Sequence, residues 1–357
     1  MIQACKTDPH LGGGGPVDPI DSTWVYDPQP YMWDQDILTY FPPIPPVNYN
    51  PTTVQGVNLG RRLFYDPILS TDSSLSCGTC HSPAFNFTDN GKLFSDNIAG
   101  PTTRNSMPLI NLQWHQRFMW DFRSETLEDG VLDALENEQH FDAINEVAKL
   151  ENITEYRKWF YEAFGDTTIT EQQVVYAISQ FLRTMVSYNS KYDRVIRGEA
   201  SFTVDEQFAI DSIFLTPKGD CFHCHQTFPA AITSTILPRN NGLQFAPDYT
   251  YYDDIGFGIL NPANLSWYGR FKVPELRNLT MSYPYMHDGR IPNLDSLINF
   301  YSDGVHIDPA DNYNIDPNMA ADYIGDFNAY EKKALKDLLL TMVDSTFIND
   351  TAFQNPW

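Results

Sequence analysis

No stretch of the sequence approaches the roughly 20 consecutive apolar residues that a bilayer-crossing helix requires, which excludes a membrane-spanning helix. Basic residues are scarce: 23 Lys and Arg face 46 Asp and Glu, for a formal net charge of -23. A surface of that sign repels nucleic-acid phosphates and anionic lipid, so nucleic acid is not expected as a partner, and the charge suits a basic protein partner or simply solubility. Cysteine is scarce too. Of five cysteines, four sit in two short paired motifs and only Cys5 is left over, so there is no disulfide framework. A chain of 357 residues can bury cores for two domains without one. Long strand-like alternation is also missing, which leaves helices as the regular elements.

Helical periodicity is clear in "ENITEYRKWFYEAFG" and in "TEQQVVYAISQFLRTMVSYNSKYDRVI", where apolar residues recur at steps of three and four. Thr170, with Gln173 in the reciprocal capping position, reads as a helix start. Further helices are expected in "TVDEQFAIDSIF" and "NAYEKKALKDLLLTMVDS". The segment up to residue 52 is dense in Pro, Asp, Tyr and Trp, and proline at that density blocks helices and sheet interiors alike. An extended arm lying on the protein surface is expected there. The division that follows is an N-terminal tether and arm (1–52), a first helical domain (53–197) and a second (198–357), with the boundary near "RVIRGEAS".

Cys5 follows small and apolar residues and precedes a Gly and Pro-rich spacer, an arrangement resembling the end of a bacterial lipoprotein signal. Only four residues precede it, so an export signal would lie outside this sequence. The two readings are a lipidated Cys5 tethering the protein to a membrane and a free thiol in a disordered tail.

The paired motifs carry the chemistry. "SCGTCHS" places Cys77, Cys80 and His81 at the same spacing as Cys221, Cys224 and His225 in "CFHCHQ". Two thiols on one turn can add across the vinyl groups of a porphyrin, and the next histidine can coordinate its iron, the attachment pattern of c-type haem. Structural zinc also uses C-x-x-C, but each zinc would need two further ligands and both copies carry the histidine in the haem position. Two covalent haems are therefore expected, with His223 a variable residue inside the second motif. In bacteria covalent attachment occurs outside the cytoplasm, which points to the periplasm or cell envelope.

Around these motifs the chain resembles the di-haem cytochrome c peroxidases and their relative MauG. The similarity lies in "NLGRRLFYDPILSTDSSLSCGTCHSPAFNFTD", "RNSMPLINLQWHQRFMWDFRSETLED" and "GRFKVPELRNLTMSYPYMHDGRIPNLDSLINFYSDG", and runs from about residue 56 to 345. The resemblance implies a mainly α fold of two cytochrome c-like domains, each carrying one haem. It makes the haem at Cys77, Cys80 and His81 the peroxide-reactive one, and that at Cys221, Cys224 and His225 the electron-transfer one. In the peroxidases the second haem's sixth ligand is a methionine fourteen residues after the histidine of "PYxHDG". Here that register, counted from His287, gives Tyr301, as in MauG, with Met286 a second candidate. A phenolate stabilises oxidised iron, whereas a thioether raises the potential. The resemblance also implies Trp120 as an electron relay between the haems, and a calcium ion held by Asn105, Ser282 and the backbone of Pro284.

The chain departs from the family pattern in two places. The histidine that blocks the first haem in many peroxidases would fall at Asn97, and the loop from Ser82 to Arg104 contains neither His nor Met, so the first haem is expected to be open. The distal glutamine, proline and glutamate fall at Gly130, Ala134 and His140. His140 is therefore expected to move the proton during O–O cleavage, with Glu138 or Glu136 as substitutes. Three functions follow from the resemblance: a MauG-like enzyme that uses hydrogen peroxide to oxidise a protein, a peroxidase fed by a small cytochrome, and a non-enzymatic electron carrier.

Overall fold

The structure is a computed structural model and describes residues 23–89, 96–98, 100–225, 237–321 and 323–357. Cys5 lies outside them. Among the described residues, regular β-structure is confined to one antiparallel pair of two-residue strands, Asp96–Asn97 with Gly100–Pro101. The rest is helix, turn and irregular chain, and no helix is long and apolar enough to cross a membrane.

The first half is organised by α1 (Val54–Tyr65), which crosses α4 (Glu171–Thr184). The crossing is close because α1 carries glycines on that face: a Cβ on Gly60 would sit 1.9 Å from the Ala177 carbonyl oxygen, and one on Gly56 would meet the Gln180 amide. Leu59, Leu63 and Phe64 of α1 and Ile178, Phe181 and Leu182 of α4 form the centre of its apolar core. The capping expected at Thr170 is present: its hydroxyl accepts from Gln173 N at 3.3 Å and its own N–H donates to Gln173 Oε1 at 3.0 Å. Between these helices come α2 (Cys77–Cys80) and α3 (Leu127–Glu138).

The second half is built from α5 (Val204–Ala209), α6 (Leu294–Asn299) and α7 (Ala329–Leu340). Both α5 and α6 run directly into a π-helical turn, Ile210–Phe214 and Phe300–Gly304 respectively. Leu297, Ile298, Leu335 and Leu338 close this second core around Ile213 and Phe214. The two halves are not cleanly successive in sequence. Phe347 and Phe353, near the C-terminus, are buried in the first core, and Tyr65 Oη donates to the Phe353 carbonyl at 2.6 Å. In the arm, Ile37 and Phe41 pack against Trp114 and Val186.

Candidate haem sites and their surroundings

Cys77 and Cys80 occupy a single helical turn, α2, whose N-cap Ser76 exchanges hydrogen bonds with Thr79. His81 follows directly, and its Nδ1 lies 2.7 Å from the Phe87 carbonyl oxygen. A carbonyl can only accept, so Nδ1 carries the hydrogen and Nε2 presents its lone pair, the tautomer an iron ligand needs. Burial lowers the pKa of His81, with the Phe87 and Met107 carbonyls opposing it. The second motif repeats the arrangement on a 3₁₀ turn, Cys221–His223, with His225 N donating to the Cys221 carbonyl at 2.8 Å. Burial pushes His225 down to about 4, which keeps its imidazole neutral. His223 turns away onto Asp220, Nδ1 to Oδ1 2.6 Å.

Burial pushes the Cys77 and Cys221 thiols up to about 12 and Cys224 to about 11. Among the described residues no cluster of three or more His, Cys, Asp or Glu side chains could hold a metal ion.

The second motif opens onto a largely apolar cavity, also lined by Asn241, Met286 and Tyr301. Tyr301 stands on the π-helical turn after α6, a local distortion of the kind often found at functional sites. Asn241 Nδ2 reaches both candidate sixth ligands, donating to Tyr301 Oη at 3.0 Å and lying 3.6 Å from Met286 Sδ. Burial pushes the Tyr301 hydroxyl up, with Asn241 opposing. The residues present thus fit a haem: paired neutral thiols, a neutral histidine and a phenol in one apolar cavity.

Trp120 is buried, lines this same cavity and donates Nε1–H to the Asn105 carbonyl at 2.8 Å. Two residues further along that strand of chain, the Met107 carbonyl acts on His81. The segment 105–107 therefore connects Trp120 to the first site's histidine. Asn105 Nδ2 donates to the Pro284 carbonyl at 2.5 Å, and the Asn105 Oδ1 is buried with no hydrogen-bond partner among the described residues. Ser282 Oγ is engaged elsewhere, accepting from Asn86 Nδ2 at 3.0 Å. The three oxygen donors expected for calcium are thus near one another, though not all turned to one point.

The distal register comes out differently from the gap-free count. Gly130 is buried in α3, where its Cβ position faces Phe118 at 3.4 Å, and Ala134 is half-buried. The structure does not bring His140 inward: α3 ends at Glu138, His140 takes a left-handed conformation (φ 50°), and its side chain is exposed. Its carbonyl accepts from the Thr71 hydroxyl. Glu136 is exposed as well. Glu138 is half-buried and close enough to Cys77 to raise that thiol's pKa, and its own is raised by burial and by Asp133. Gln139, which the count skipped over, is the buried one. Its Nε2 lies 3.5 Å from Cys77 Sγ, and its Oε1 is buried with no hydrogen-bond partner among the described residues. Asn97, at the position of the family's blocking histidine, lies in the first of the two short strands.

With the two sites in place, comparison with known proteins is direct. The sequence pattern of the family described as di-haem cytochrome c peroxidase matches residues 54–201. The methylamine utilization protein MauG of Methylophilus methylotrophus is 31% identical over 268 residues, 72% of this chain and 75% of that protein. The chain belongs to the di-haem cytochrome c peroxidase and MauG family. Another member, the cytochrome c551 peroxidase of Nitrosomonas europaea, is 28% identical over 260 residues, 72% of this chain and 75% of that protein. Among solved structures, a MauG-like protein associated with microbial copper homeostasis superposes with a TM-score of 0.79 at 31% identity, covering 91% of this chain and all (100%) of that one. The di-haem peroxidase BthA of Burkholderia thailandensis shares the fold, with a TM-score of 0.68 at 19% identity over 87% of this chain and 91% of its own. Membership makes the chain a peroxidase-like oxidoreductase of a di-haem family.

Proposed function

We propose that this protein reacts with hydrogen peroxide at a haem held by Cys77, Cys80 and His81, and oxidises a protein substrate through a second haem held by Cys221, Cys224, His225 and Tyr301. The observation that carries the reading is the placement of Tyr301 in the second cavity, held by Asn241 on a turn built for it. A phenolate at that position favours retention of an oxidising equivalent over rapid delivery of electrons to peroxide. The bound haems supply the redox chemistry. The chain's residues orient the two irons through His81 and His225, exclude water from the second site, and carry a proton near the first through Glu138, with Gln139 beside it. Trp120 is the electron relay between the sites, and an ion such as calcium beside it would be held by Asn105, Ser282 and the Pro284 carbonyl. Covalent haem places the protein in the periplasm or cell envelope.

The test is stopped-flow absorbance of the holoprotein after one equivalent of peroxide. A persistent change involving both haems, lost in Trp120→Phe, is the expected result. Rapid decay with stoichiometric oxidation of an added reduced cytochrome would replace this reading with the cytochrome-fed peroxidase, which Met286 beside Asn241 favours as the alternative. Absence of any reaction with peroxide would leave an electron carrier.

A further inference from the structure

Beside the second cavity lies a chain of buried ionisable side chains that the proposed function does not use. Lys272 and Glu275 both line that cavity and are 7% and 6% exposed. His115 bridges them. Lys272 Nζ lies 3.1 Å from His115 Nδ1 and also donates to the Arg117 carbonyl at 3.0 Å, while His115 Nε2 lies 3.4 Å from Glu275 Oε1. An ammonium only donates, so Nδ1 is the acceptor and the remaining imidazole hydrogen is on Nε2. Nε2 and Glu275 Oε1 approach without a formed hydrogen bond, and neither has another hydrogen-bond partner among the described residues. The order Lys272, His115, Glu275 is thus a row of buried ionisable groups with one hydrogen bond made, from Lys272 to His115, and one within reach, from His115 to Glu275. Asn111 Nδ2 holds the other oxygen of Glu275 at 2.8 Å. The network is tied to the proposed relay as well, because Lys272 N donates to the Trp120 carbonyl at 2.8 Å.

We propose that His115, Lys272 and Glu275 form a proton-exchange triad that takes up one proton when the second haem gains an electron and returns it when that electron leaves. Adding an electron to a buried cofactor without a compensating charge is costly in a medium of low dielectric. A carboxylate lining the same cavity can offset it. On reduction, Nε2–H of His115 passes to Glu275 Oε1, Nδ1 takes a proton from Lys272, and solvent, reached on the side of the partly exposed Arg117, replaces the proton lost from Lys272. One electron and one proton enter together, and on oxidation both leave by the same route. The other charges facing Glu275 are Arg277 and Asp193, paired with each other at 2.7 Å and so unavailable for exchange. Burial pushes Glu275 up to about 8 and Lys272 down to about 8, so both titrate within reach of neutral pH. Oxidised haem, being more positive, favours ionised Glu275, and reduced haem lets burial win. The coupling therefore operates between the Glu275 pKa of the oxidised protein and the higher one of the reduced protein; above that window Glu275 stays ionised in both states, and below it protonated in both.

The inference rests on a haem in this cavity and not on which substrate the enzyme oxidises. It is tested by spectroelectrochemical titration of the second haem in the holoprotein across that pH range. The expected result is a tenfold change in the ratio of reduced to oxidised haem per pH unit at fixed potential, equivalent to about 59 mV, and a flat response in Glu275→Gln. A flat response in the wild type, or an unchanged slope in Glu275→Gln, overturns the proposal. The redox-induced infrared difference spectrum of the wild type gives an answer that does not depend on the variant folding. A protonated-carboxyl band appearing on reduction is expected, and its absence contradicts the triad.

Discussion

The two C-x-x-C-H sites share a spacing and differ in almost everything around it. At the first, position 78 is glycine because the Tyr65 ring leaves no room: a Cβ there would lie 2.5 Å from the ring, and Tyr65 is held in place by its hydrogen bond to Phe353. At the second, the same position is Phe222, packed against the core of α5 to α7. The first site has polar side chains near it, Glu138 and Gln139, that could handle peroxide. The second has a largely apolar cavity lined by Tyr301 and Met286, with Asn241 donating to the Tyr301 hydroxyl. On the proposed function, the same attachment motif serves an open, reactive site and a closed, charge-holding one, with the surroundings setting the difference.

The largest test of that division removes the attachment points. Cys77→Ala with Cys80→Ala, and separately Cys221→Ala with Cys224→Ala, should each leave one covalent haem per chain, read by haem-stained denaturing gels and mass spectrometry. Only the second-motif variant should keep peroxide reactivity at the remaining haem. Retention of two covalent haems in either variant would break the comparison.

Next in size is the proton step. Glu138→Gln should slow the reaction with peroxide by about a hundredfold, the usual effect of losing one general acid–base group, whereas His140→Ala should leave it unchanged because that side chain is exposed. The opposite pattern in stopped-flow traces would return the role to His140. A smaller effect concerns packing. Gly78→Ala should destabilise the protein by about 1–3 kcal/mol through overpacking against Tyr65, visible as a lower thermal midpoint. A wild-type melt would mean that the ring yields and that the glycine has another cause.

What the sequence made legible follows from how far apart the cooperating residues lie. Cys77, Cys80 and His81 lie within five residues, as do Cys221, Cys224 and His225, so both candidate sites could be read from spacing alone. Thr170 and Gln173 announced their helix because capping is a local interaction. Tyr301 was reached by counting from His287, and it stands on the π turn that continues α6, facing the same cavity as His225. The same counting reached His140, whose side chain the structure leaves exposed, because the helix ends two residues earlier and the backbone turns left-handed, with Gln139 buried instead. Asn241 and the His115, Lys272 and Glu275 triad could not be read at all. His115 and Lys272 stand 157 positions apart, and no local pattern marks residues that meet only through tertiary packing.

The central claim, one open haem and one closed by Tyr301, is tested most directly by the electron paramagnetic resonance spectrum of the ferric holoprotein and of its Tyr301→Phe variant. One high-spin and one low-spin signal are expected in the wild type, with the low-spin signal lost or replaced by that of a methionine-ligated haem in the variant. Two low-spin signals in the wild type, or a low-spin signal unaltered by Tyr301→Phe, would contradict it.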